Sequence, residues 1–196
     1  MIPSTQNVGN LVIRGMGSAN GGEFSQVRIM GEGTVEGSLS CHTTRVMGKV
    51  AVKGDMVSDI VKITGELEVK GNCSAEAFRV RGAFQIGGLL NSGQITVNLL
   101  GPSKVRELGG GKIRIKCPRI GNFTPKHFTA DVIEGDDVRL EYTNAQVVRG
   151  GYVAIGRGCT IDLVEYAGDF RQSSQSTVKM HRHVGDSHEY GGHENG

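Results

Sequence analysis

From Val27 to Gln94 apolar and polar residues alternate with period two, and the whole pattern returns every seventeen residues. Set in register, one apolar column reads Ile29, Val46, Ile63, Val80, a second Val35, Val52, Val69, Ile86, and a third Leu39, Met56, Cys73, Leu90. Between them stand polar positions: Arg28, Arg45, Lys62 and Arg79, then Glu36, Lys53 and Lys70. Period two means short strands with one face buried, not helix. Two glycine series keep the same step, Gly31, Gly48, Gly65, Gly82 and Gly37, Gly54, Gly71, Gly88. Glycine lets a chain turn with φ above zero, so these are read as corners. A strand and corner unit that regains register after seventeen residues is one coil of a β-solenoid. The predicted fold is all-β, a single-stack parallel β-helix.

A coil of this size cannot hold its shape alone, because its few inward side chains do not offset the entropy of ordering the chain. Stacking adds backbone hydrogen bonds between coils and buries each apolar column against its copies. The first and last coils are then left with unpaired sheet edges.

Around the regular array the sequence divides further. Residues 1–9 show no pattern and are expected to form a flexible tail, and the β-helix is expected over 10–167. Leu11 and Ile13 before Gly15 resemble a degenerate first coil, and the glycine-rich GMGSANGGE after them reads as a loop at one corner. Residues 95–127 read as a broken coil and connector, with Pro118 to Lys126 looped out. Over 128–167 the step shortens: Asp131-Val-Ile-Glu-Gly135 is echoed by Gln146-Val-Val-Arg-Gly150, and then by Asp162-Leu-Val-Glu-Tyr166. These coils are expected to continue the same stack. Residues 168–196 lose periodicity and hold four of the six histidines, including His181, His183, His188 and His193. They read as a disordered polar tail rather than a metal site.

Composition narrows the function classes. Aromatic residues make up 5% with no Trp, against 31 glycines, which suits a repetitive β protein better than an enzyme with an aromatic pocket. A net charge of +2 gives no reason to expect nucleic acid, and the Lys and Arg between apolar positions read as solvated faces. Cys41, Cys73, Cys117 and Cys159 form no CxxC pair. Cys41 and Cys73 fall in inward columns, as small buried hydrophobes, and no disulfide framework is implied. No secretory leader pattern and no run of about 18 apolar residues is present, so a cytoplasmic location is expected. GMGSANGG lacks the P-loop lysine, Glu134, Asp136 and Asp137 read as solvated turn carboxylates, and no catalytic motif occurs. No catalytic residue, cofactor or metal is therefore expected.

The glycine-marked coils, with the strings AEAFRVRGAFQIGGLLNSGQI, ELGGGKIRIK and IEGDDVRLEYTNAQVVRG followed by VAIGRGCTIDLVEY, resemble the bactofilins, polymer-forming bacterial cytoskeletal proteins, in the subgroup of spore-forming Gram-positive rods. The similarity covers roughly residues 10–166. It implies a right-handed, roughly triangular β-helix that stacks end to end into nucleotide-independent filaments. It also implies a scaffold for cell shape, envelope or flagellar assembly, often at the inner face of the membrane. The partners implied are other copies of the chain, a paralogous bactofilin and membrane-associated proteins, with no nucleic acid or small-molecule substrate. On this reading the ends polymerise, through Leu11 and Ile13 at the first coil and Ile161, Leu163 and Val164 at the last. Two other readings stand beside it. One is a left-handed β-helix enzyme of the hexapeptide acyltransferase or carbonic anhydrase type, for which His42 and His127 are the only histidines near coils. The other is a monomeric binding solenoid.

Overall fold

The computed structural model describes residues 9–118 and 125–185. Strand structure fills almost all of it, as β1 (Leu11–Val52), β2 (Met56–Val69), β3 (Cys73–Leu99), β4 (Ser103–Lys116), β5 (Phe128–Leu140), β6 (Thr143–Ile155), β7 (Thr160–Tyr166), β8 (Phe170–Gln172) and β9 (Thr177–His183). No helix occurs among the described residues, and so none is long and apolar enough to cross a membrane. Every pairing between strands is parallel, and the strands follow one another in sequence order through a single sheet, with β8 beside β6. This is the β-solenoid that the alternation predicts.

The register is the predicted one. Leu39 pairs with Met56 and Met56 with Cys73, Val46 with Ile63 and then Val80, and Val52 with Val69 and then Ile86. All of these are buried. Later pairings keep the columns while the step changes. Ile95 sits on Ile113, Ile113 on Val138, Val138 on Val153, and Val153 on Phe170. The stack resumes with Phe128 on Ser103, while the expected loop over Pro118 to Lys126 falls mainly on residues 119–124, which lie outside the described part. The shorter repeat also lands in register, Glu134 on Arg149 and Arg149 on Glu165. A continuous apolar core results, with Phe84 between Phe78 and Phe128 at ring-centroid distances of 5.5 and 5.6 Å.

The two glycine series do different work. Gly31, Gly48, Gly65 and Gly82 hold φ between 122 and 150°, where side chains are strained, and each lies against the carbonyl of the glycine one coil below. In the second series only Gly37 has positive φ. Gly54, Gly71 and Gly88 are required for space instead, since a Cβ there would meet Ser38, Asp55 or Asn72 of the preceding coil. Those three side chains bridge successive coils: Ser38 Oγ accepts from Asp55 N at 3.0 Å, Asp55 Oδ1 from Asn72 N at 2.7 Å, and Asn72 Oδ1 from Leu89 N at 2.9 Å. The expectation that every corner glycine serves a positive φ is corrected by this ladder. Asn72→Ala is expected to cost about 1 kcal/mol, the net worth of one such bond, read from a urea melt. The ladder stops where a register shift between Ile86 and Leu89 tightens this corner, after which no glycine is needed there.

Three further expectations are corrected. GMGSANGGE is not a loop standing off the stack but part of the first coil within β1, turning at Gly15 and Gly22 with positive φ, its backbone stacked on the next coil at Gly31 and Ser38. Gly9 belongs to the first coil rather than to a tail, because its carbonyl accepts from Ser25 N at 2.9 Å; residues 1–8 lie outside the described part. Residues 168–185 are not a disordered tail: β8 lies on β6 and β9 on β7. The β-helix thus extends beyond residue 167, while residues 186–196, with His188 and His193, lie outside the described part.

Candidate assembly surfaces

A solenoid meets its surroundings through two ends and its side walls. At the first coil Ile13 is buried and Leu11 half-buried, whereas Val12 and Met16 are exposed, by 52% and 81%. Leu11 and Ile13 therefore stand where the sequence places them, at the end of the stack.

The last coil is not the expected one. Ile161 and Val164 are fully buried and Leu163 is half-buried, because β9 covers all three, with Val178 on Ile161, Met180 on Leu163 and His181 on Val164. Ile161 and Val164 are thus core of the penultimate coil rather than an open interface, and Leu163 lies in the outward column of Glu107, Val132 and Val147. The C-terminal end of the core is made instead by Val178, half-buried, and His181, exposed, while Met180, 62% exposed, faces outward on the side wall. The clue lies in the step, for Thr177 to His183 set seventeen residues beyond Thr160 to Tyr166 continues the columns. Lysine, arginine and histidine in the segment hide that match.

The inward column that runs Leu108, Ile133, Val148, Val164 ends on His181. Around this ring pack Phe170 at 5.0 Å and Tyr166 at 6.3 Å between centroids, and Tyr166 also meets His183 at 5.4 Å. His183 Nε2 is 2.9 Å from the Ala167 carbonyl. The paired imidazoles of His181 and His183 are thus engaged in rings and backbone, and among the described residues no three metal-ligating side chains converge.

Along one outward column the charges alternate from coil to coil, Glu134, Arg149, Glu165, Arg182. Arg149 lies 3.8 Å from Glu134 and 2.5 Å from Glu165, and Arg182 closes on the other oxygen of Glu165. Glu165 is largely buried, and the guanidiniums of Arg149 and then Arg182 hold its carboxyl below the ordinary value of 4.5. A carboxylate with a lowered folded-state value stabilises fully above the ordinary value and loses that contribution as pH falls through the lowered one. Amide protection of β9, corrected for intrinsic exchange, is therefore expected to drop as pH falls below the ordinary value of 4.5. In Glu165→Gln that drop should vanish.

Other sequence candidates resolve individually. Asp137 faces Arg139 at 2.8 Å and Glu134 faces Arg149, so these carboxylates point to arginines rather than to a common centre. His42 pairs with Asp59 at 2.9 Å on the surface, and His127 stacks edge-on against Tyr142. All four cysteines are buried and free. Burial pushes the Cys73 thiol up to about 12 and, as the main cause, the Cys159 thiol up to about 11, which leaves both protonated and poor nucleophiles at neutral pH.

Against known proteins the chain is similar to two from Bacillus subtilis (strain 168). Both are described as uncharacterized. It is 51% identical to YhbF over 82 residues, 40% of this chain and 34% of that protein. It is 38% identical to YhbE over 99 residues, 47% of this chain and 41% of that protein. The chain thus spans well under half the length of the curated relatives it matches. No family model matches it, and no solved structure does.

Proposed function

We propose that the chain is a structural subunit that adds end to end to other copies of itself, without nucleotide and without catalysis. On this reading it forms filaments of the bactofilin kind that scaffold the cell envelope or cell shape, with a paralogous chain or membrane-associated proteins as further partners. One observation carries the proposal. β9 pairs only with β7 among the described residues, so its other edge has backbone donors and acceptors open, over the ends of two inward columns at Val178 and His181. A coil in that state is completed by another coil of the same rise, and the first coil of a second copy, with Leu11 and Ile13, supplies one. Negative-stain microscopy of the full chain purified without nucleotide tests this directly. Unbranched filaments are expected; monomers persisting at high concentration in a sedimentation run would instead favour a binding solenoid.

A further inference from the structure

The chain's net charge of +2 conceals a sorting of charge by wall. Each coil has three flat runs, separated by the Gly48 corner, the Asp55 corner and the corner at His42 and Asp59, where the pairing skips a residue. One run spans residues 26–30, 43–47, 60–64, 77–81, 94–98 and 112–116 in successive coils. These six stretches hold eight Lys or Arg and no Asp or Glu, until the next coil, 137–141, brings Asp137 and Glu141 and sets Asp137 3.9 Å from Arg114. Its middle column is in register, Arg45 on Lys62 on Arg79, all three exposed, and among the described residues none has a carboxylate within ion-pair distance.

The neighbouring run spans residues 38–42, 55–59, 72–76, 89–93, 107–111 and 132–136. It holds six Asp or Glu and no Lys or Arg. Its acids sit mainly at the borders, Asp55 on one side, Asp59 and Glu76 on the other, while the middle column is short, Ser40 on Val57 on Ser74. Four residues of strand separate the borders, about 13 Å. The result is a shallow trough with acidic rims, as wide as a row of long side chains. By contrast the third wall mixes both signs and pairs them internally, as Lys49 with Glu66 and Lys70 with Glu68.

We propose that the cation run of one copy seats in the acid-rimmed run of a second copy, the two stacks lying side by side. Arg45, Lys62 and Arg79 form a ridge that fits the trough, and both series repeat at the same inter-coil rise of about 4.8 Å, so a match at one rung keeps the neighbouring rungs in step, with charge on both sides wherever cation and acid coils coincide. Exposed Met47, Ile60 and Val57 are covered in the contact. The contact joins two different walls, so each bound copy leaves a ridge and a trough free, and association is open-ended. It does not rest on end-to-end addition, because single molecules pair in the same way.

The readout is particle or filament width by negative stain, which end-to-end addition leaves unchanged, together with sedimentation of the full chain. Wide, side-by-side species are expected in 0.1 M NaCl and should disappear in 1 M, as the screening length falls from about 10 Å to about 3 Å. The triple variant Arg45→Glu, Lys62→Glu, Arg79→Glu puts negative charge on both walls, and Asp59→Lys, Glu76→Lys, Glu107→Lys puts positive charge on both. All six side chains are exposed, and circular dichroism verifies the fold. Each variant alone should pair at least about 100-fold more weakly than the parent, whereas an equimolar mixture should regain pairing. Pairing of either variant at parental strength, a mixture that stays apart, or a parent that pairs equally in 1 M salt would each overturn the proposal. So would a parent that never pairs with itself but sediments with phosphatidylglycerol vesicles or with DNA, which would make the ridge a docking wall for an anionic surface.

Discussion

Gly65→Ala is expected to destabilise the molecule by roughly 3–5 kcal/mol, through backbone strain and a steric overlap that cannot relax. Gly65 holds a φ of 130°, and a Cβ on it would run into the carbonyl of Gly48 in the coil below. Both partners are backbone in a registered stack, with Gly48 on Gly65 and Gly65 on Gly82, so relief at one rung displaces the next. The informative control is Gly15→Ala. Gly15 also has positive φ, 79°, but its Cβ would meet nothing within 4 Å because it begins the column. Only a conformational penalty of about 1 kcal/mol is expected there. Urea denaturation followed by circular dichroism measures both, and similar midpoints for the two variants would refute the account of the corner.

His181→Glu is expected to abolish filaments while leaving the coils intact. His181 is exposed in the isolated molecule, so a carboxylate there keeps its water and the fold should lose about 1 kcal/mol, mainly the ring contacts with Phe170 and Tyr166. Once a further coil stacks on β9, the same carboxylate, at the end of the inward column of Leu108, Ile133, Val148 and Val164, would be stripped of water with no cation assigned to it, at a cost of several kcal/mol. Each 1.4 kcal/mol is tenfold in affinity, so association should weaken by at least about 100-fold. Leu163→Glu is the wrong test of this end, because Leu163 lies with Met180 in the outward column of Leu89, Glu107, Val132 and Val147, where Glu107 stands exposed between two coils. Filaments persisting in His181→Glu under the microscope, with an unchanged melting curve, would remove the C-terminal coil from the assembly surface.

The end residues explain why one part of the candidate assembly surface was legible and another was not. Leu11 and Ile13 alternate ahead of a corner glycine, so the first coil can be found by pattern alone. At the other end His181 occupies the place of Val164 and Arg182 that of Glu165, so hydropathy there resembles a tail although the register is intact. Backbone pairing sets where a strand lies, and it tolerates a polar side chain wherever no further coil covers it. The bridging side chains Ser38, Asp55 and Asn72 were hidden for a related reason. As single residues they are ordinary turn formers, and only the stacking of one corner on the next turns them into a ladder.

Period-two alternation and the seventeen-residue return were sufficient to determine the β-solenoid, its inward columns and the register between most coils, because each of these depends on spacing along one chain. Which charges share a wall, where the stack ends and which glycines serve space rather than φ were decided only by the tertiary structure. Those properties depend on residues some fifteen to twenty-five positions apart being brought to one level, and the small changes of step after Leu89 redirect them in ways that no local pattern records.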